Sequence, residues 1–192
     1  TFVCLSDSVI LSISAFLLAL ADSNGLSCSM RSILSFENSA WRCDRVLRYE
    51  TNSEPLIFDI DILGARKIAK KIEAETKTSS LALKVNVEAS SEVYAAVNEV
   101  KGIFKKIDIL VNNAAYVKYS PFVEFSEGDW DKVVNVCLKG YFLCGQAVAK
   151  EMVKQGSGKI INIASVAANM GFAGATAYGA AKGGVAALTR VM

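Results

Sequence analysis

The chain has no histidine among its 192 residues. That removes Ser-His and Cys-His nucleophile pairs and the commonest zinc ligand, so any proton transfer must run through other side chains. Glycine is nearly missing from one region, where Gly25 is the only one before Gly64. A turn that wraps phosphates needs several glycines close together, because the backbone must approach the anion and some positions need positive φ. No arrangement of residues 1–54 supplies that. Paired thiols are lacking too: Cys4, Cys28, Cys43, Cys137 and Cys144 are odd in number and show no C-x-x-C spacing. This pattern fits free thiols in a reducing compartment, the cytoplasm by default, and offers no metal-ligand set. Neither sign of charge dominates, with 21 basic and 19 acidic residues and a net charge of +2. No basic stripe with interleaved aromatics occurs, which argues against nucleic acid as a partner.

What remains is a globular composition, 52% hydrophobic and long enough for one domain with a continuous core. Its composition changes near residue 55. Residues 1–54 hold no lysine, four arginines and eleven serines, whereas residues 55–192 hold fifteen lysines, two arginines and eight serines. Two readings stand: a divergent extension, or a foreign or frame-shifted stretch joined to a conventional domain that begins at Pro55. Val9 to Leu20 is apolar apart from two serines, and Ala19-Leu20-Ala21 looks like a cleavage site. The run is short for a bilayer and lacks a basic flank, so a buried helix competes with a signal segment and membrane attachment is not expected.

From Pro55 onward strand and helix patterns alternate. Leu56–Phe58, ending at Asp59, Leu81–Val87, Ile107–Val111 and Lys159–Ala164 read as strands. Ala65, Ile68, Ala69 and Ile72 mark the face of a first helix. Ser90 or Ser91 is placed to cap a second, whose stripe is Val93, Ala96, Val97, Val100, Ile103 and Phe104. A long helix from about Ser126 to Gln155 carries Trp130, Val133, Val134, Cys137, Leu138, Tyr141, Gly145, Val148 and Met152 inward, and a last helix starts near Ala175. Apolar strands alternating with helices predict an α/β fold, doubly wound, with a mostly parallel sheet covered on both faces.

One spaced set of residues carries chemistry. Tyr178 and Lys182 are four apart on a helix, hence one turn from each other on the same face. An ammonium there favours the phenolate and draws the tyrosine toward the range of a working acid or base. Ser165, upstream, can hydrogen-bond the reacting oxygen. Taken singly, these residues have ordinary roles as an aromatic filler, a solvated helix charge and a turn former. As a set they point to proton transfer at a carbonyl or alcohol oxygen.

Around that set, residues from about Leu56 to Met192 resemble the short-chain dehydrogenase/reductases. Asp108-Ile-Leu-Val-Asn-Asn-Ala-Ala115 is similar to the family's Asn-Asn-Ala-Gly segment, with Ala115 in place of glycine. Ile160-Ile-Asn-Ile-Ala-Ser165 resembles the strand that delivers the catalytic serine. The resemblance implies a Rossmann-like sheet, incomplete here at both ends, and hydride transfer between a nicotinamide cofactor and a carbonyl or alcohol substrate, 3-oxoacyl, sugar or other. It implies Tyr178 as acid/base, Lys182 as the residue that lowers the tyrosine pKa and holds the cofactor ribose, and Ser165 as the substrate-orienting hydroxyl. It also implies homo-oligomers.

For the cofactor, Asp59 lies where a carboxylate accepts the adenosine ribose hydroxyl, which favours NAD over NADP; Asp61 is its rival, with helix capping as the ordinary alternative. Asn86 and Val87 resemble the pair beside the adenine, and Asn113 an asparagine against the cofactor, with turn chemistry as the competing role. Three departures stand out. The family's first strand and glycine-rich turn are not recognisable, which predicts a sheet without its central strand. Cys137 occupies the position of an asparagine in the proton relay, and an apolar filler is its plainer reading. The family's later strands lie beyond Met192. A catalytically inactive relative that acts at most in association is therefore the alternative function.

Overall fold

The computed structural model describes residues 2–5 and 54–192 of the chain. They form a five-stranded sheet, parallel at every pairing, in the order β3-β2-β1-β4-β5. The strands are β1 (Phe2–Leu5), β2 (Pro55–Asp59), β3 (Leu81–Lys84), β4 (Ile109–Asn112) and β5 (Lys159–Asn162). The helices are α1 (Ile62–Thr76), α2 (Ser90–Phe104), α3 (Glu127–Val134), α4 (Gly140–Gln155) and α5 (Thr176–Val191). Parallel neighbours require crossovers, and the helices that make them cover the sheet. Leu56, Phe58, Val85, Val93, Val97, Val100, Leu110, Leu143 and Val148 close one core cluster against it.

The predicted gap at the centre of the sheet is filled. β1 lies between β2 and β4, parallel to both, with Phe2 opposite Pro55 on one side and Ile109 on the other. The physical reason is that β2 and β4 each present an edge whose N–H and C=O groups need a partner, and any short extended segment satisfies both ladders. The glycine-rich turn and the central strand are thus separable features, and only the turn is missing from the sequence after β1.

Other elements follow the sequence pattern with shifted ends. The third expected strand starts two residues late because the Gln155 amide takes both backbone groups of Ile107, donating to its carbonyl at 2.9 Å and accepting from its N–H at 3.0 Å. β3 stops at Lys84 because its partner β2 ends at Asp59. Neither Ser90 nor Ser91 caps α2: the cap position is Ala89, with no side-chain bond, and Ser90 is already helical. Trp130 and Ile103 are 39% and 54% exposed. Both sit in terminal turns, past the neighbours that cover the middle of each helix.

The long helix is one rod with a flaw in it. Ser126 caps α3 through a bond from the Asp129 N–H, and between α3 and α4 the residues Asn135–Lys139 form a π-turn. Such a turn inserts an extra residue and changes which side chains face inward. Among the described residues no helix is long and apolar enough to cross a membrane; Val9–Leu20 lies outside the described residues. In this strand order the direction of winding reverses between β1 and β4, so the crevice at their carboxyl ends is the place where such sheets bind ligands.

Candidate active site

Three elements converge beside that crevice. β4 ends at Asn112 and passes into Asn113; β5 ends at Asn162 and leads through Ile163 to Ser165; the first half of α5 carries Tyr178 and Lys182. Helix α5 reaches the loop after β5 because it is built from small residues there. A Cβ on Gly179 would meet the Ala167 carbonyl oxygen at 3.3 Å, and one on Gly184 would meet Leu138 Cδ2 at 2.8 Å. Val133, Cys137, Ala167, Ala175, Ala177, Tyr178 and Ala181 pack there as a second core cluster.

The structure therefore brings Ser165, Tyr178 and Lys182 together. Ser165 starts a single 3-10 turn, its Oγ accepting from the Ala167 N–H at 3.2 Å. Burial raises the Tyr178 pKa, a hydrogen bond from Ser165 pulls it back, and the nearby Cys137 and Tyr119 push it up further. Lys182 is 1% exposed. Burial lowers its pKa to about 8, against an opposing pull from Cys137.

The expectation that Lys182 holds the Tyr178 pKa down is not met by this geometry. The Lys182 Nζ donates to the Ile163 carbonyl at 2.7 Å and to the Tyr141 hydroxyl at 2.8 Å. It stands 4.6 Å from the Tyr141 ring centroid and 5.7 Å from that of Tyr178. With the ammonium turned toward a different phenol, desolvation is the largest influence on Tyr178.

Tyr141 is the residue the sequence reading missed as part of the site. It appeared only as one member of an apolar stripe, yet it is wholly buried and its hydroxyl donates to the Ile163 carbonyl at 3.2 Å. The available signal was chemical: a phenol in an otherwise apolar stripe needs a polar partner at its tip. Cys137 is also wholly buried, and its thiol does more than fill space. It donates to the Tyr116 carbonyl at 3.3 Å and accepts from the Tyr116 N–H at 3.4 Å, tying the loop after β4 to the π-turn. Burial raises its pKa, opposed by the Tyr116 backbone and by Lys182, so it stays a thiol.

On the other side of the crevice Asp59 ends β2, its Oδ1 accepting from the Asp61 N–H at 2.8 Å. Asp61 itself caps α1, accepting from the Leu63 N–H at 3.1 Å. Gly64 allows this, since a Cβ there would lie 2.6 Å from Asp61 Oδ2. Asn86 forms a turn, its Oδ1 accepting from the Glu88 N–H and its own N–H donating to Glu92. Val87 is buried in the core. Asn113 is 3% exposed, one residue past β4 at the switch point.

Asp59 thus closes β2, while Asn113, Tyr178 and Lys182 belong to β4's end and to α5. After β1 the sequence reads Ser6-Asp7-Ser8, with no glycine before Gly25.

A parallel sheet in this order, with a switch-point crevice flanked by Ser165, Tyr178 and Lys182, defines a Rossmann-type fold. The short chain dehydrogenase family model matches residues 49–192, and the chain belongs to that family. It is 37% identical over 134 residues to a 3-oxoacyl-[acyl-carrier-protein] reductase of Staphylococcus epidermidis, covering 68% of this chain and 55% of that protein. It is 38% identical over 137 residues to 5-keto-D-gluconate 5-reductase of Escherichia coli, covering 71% of this chain and 54% of that protein. Among solved structures, NAD+-bound xylitol dehydrogenase matches with a TM-score of 0.70 and 29% identity, covering 72% of this chain and 53% of that one. Levodione reductase matches with a TM-score of 0.69 and 31% identity, covering 72% and 54%. The chain spans about half the length of the curated relatives it matches.

Proposed function

We propose that Ser165, Tyr178 and Lys182 perform the proton-transfer half of a carbonyl–alcohol oxidoreduction on a small molecule, with a nicotinamide nucleotide as the hydride partner. The observation that carries this reading is the proximity of the three residues beside the switch point, where Ser165 hydrogen-bonds the buried Tyr178 and Lys182 Nζ stands 5.7 Å from the Tyr178 ring centroid. In reduction the Tyr178 hydroxyl gives its proton to the carbonyl oxygen as that oxygen becomes an alcohol; in oxidation the tyrosinate takes it back. Ser165, hydrogen-bonded to Tyr178, orients the reacting oxygen. Lys182 supplies a buried cation 5.7 Å from the Tyr178 ring centroid, and its lowered pKa lets it exchange a proton near neutrality.

Asp59 supports NAD over NADP within this reading, because a carboxylate at the end of β2 accepts from a ribose hydroxyl and repels a 2′-phosphate. Asn86, Val87 and Asn113 complete the cofactor-side set. Residues 55–192 carry the site, residues 2–5 contribute β1, and the free thiols Cys137 and Cys144 accord with a reducing, cytoplasmic setting. The relatives' 3-oxoacyl and keto-sugar substrates share a ketone carbon, and a ketone is the substrate class the site serves. The test is reduction of a simple ketone by NADH with Tyr178→Phe alongside. The rate should fall by about 10²- to 10⁴-fold without the phenol. A variant that turns over like the unaltered chain would remove Tyr178 from the chemistry.

A further inference from the structure

Lys182 is a buried cation with three N–H donors, and two of them are committed on the side away from Tyr178. We propose that Tyr141 is a positioning residue of this site: its hydroxyl accepts from Lys182 Nζ and its ring faces the ammonium, fixing where that cation sits between α4 and α5. The proposal rests on the reading of Lys182 as a working group of the site. It adds a residue that the Ser-Tyr-Lys pattern does not contain.

Three features of the fold put Tyr141 there. The π-turn Asn135–Lys139 ends two residues before it, and Cys137 and Tyr141, four apart on the inward stripe, are both wholly buried. Gly140 lets α4 press against the end of the sheet, where a Cβ would lie 2.9 Å from Val87 Cγ2. The Ile163 carbonyl, just past β5, accepts from both the Tyr141 hydroxyl and the Lys182 ammonium, so phenol, amine and carbonyl close a triangle with edges of 2.7, 2.8 and 3.2 Å. The phenol oxygen is thus the acceptor that a desolvated ammonium needs, and the ring at 4.6 Å adds its quadrupole. Other groups face the amine as well. Cys137 looks at it from the π-turn and Tyr178 from its own helix, while Ser165 and Tyr119 act on Tyr178 in turn. With two donors held by Tyr141 and Ile163, one N–H is left for the Tyr178 side.

The clamp can be read without cofactor or turnover, which separates its failure from that of the proposed function. In protein labelled at lysine Cε and tyrosine Cζ, NMR titration follows Lys182 directly, with its midpoint expected at about 8. Tyr141→Phe keeps the ring and removes the acceptor of the charged form, so the acid constant of Lys182 should rise by about tenfold or more. A folded Tyr141→Phe chain with an unmoved Lys182 midpoint would overturn the proposal. Should that variant not fold, the unaltered chain still decides: the Cζ signal of Tyr141 must shift at the Lys182 midpoint, and a signal indifferent to that titration overturns the clamp equally.

Discussion

The two flanks of the crevice are furnished unequally. On the flank of β4, β5 and α5, four polar side chains lie close together: Ser165 and the buried Tyr178, Lys182 and Tyr141. On the flank of β1 and β2, Asp59 ends its strand with a carboxylate, and the sequence after β1 holds no glycine before Gly25. The difference teaches that a sheet can keep its winding order without keeping the turn that its ligand needs. Strand pairing depends only on backbone groups, which any extended segment supplies, whereas a phosphate cradle depends on the identity of particular residues. The architecture is forgiving where the site is not.

The comparison breaks most directly at Tyr178, where a phenylalanine should lower ketone reduction by about 10²- to 10⁴-fold while leaving the far-ultraviolet circular dichroism unchanged. Next in size is the other flank: a Gly-x-x-x-Gly-x-Gly turn grafted after Leu5 should tighten NAD binding by about 10- to 100-fold in calorimetric titration. Equal affinity before and after grafting would show that the flanks are not unequal in the way described. Tyr141→Ala, which empties a wholly buried aromatic site, should cost about 3–5 kcal/mol in chemical denaturation, and Tyr141→Phe about 1–2 kcal/mol. Asp59→Asn should shift the preference between NAD and NADP toward NADP by about tenfold in competitive binding.

The smallest effect is a pH dependence that belongs to the proton-transfer flank alone. Lys182 is depressed from 10.5 to about 8 on folding, so above pH 8 the unfolded chain binds the extra proton and stability rises with pH. Cys137 and Cys144 are raised from 9.0, the latter to about 12, so above pH 9 the folded chain binds more protons and stability falls. Denaturation midpoints should therefore climb from about pH 8 to 9, by about 1 kcal/mol at most, and then decline. Lys182→Met should abolish the climb and leave the decline.

Much of this molecule is written in local pattern. Runs such as Leu56–Phe58 and Ile160–Ile163 show their strands because parallel strands are apolar on both faces, and the spacing of Tyr178 and Lys182 places them together because one helical turn spans four residues. The local role of Asp61 was not legible, since Asp59 and Asp61 are both carboxylates near a strand end; α1 starts at Ile62 and makes Asp61 its cap. Nor was the central strand legible: four residues carry too little periodicity to announce themselves, and β1 is specified by the two edges it fills.

Local order of residues was thus enough to determine the alternating α/β class and the family, and to set Tyr178 and Lys182 on one helical face, because each depends on spacings within a few turns of chain. Tertiary structure alone decided that Lys182 faces Tyr141 rather than Tyr178, and that Cys137 ties down Tyr116. Those contacts join residues 41 and 21 positions apart. They exist because a π-turn and a glycine set the rotation and depth of α4, which no spacing along the chain records.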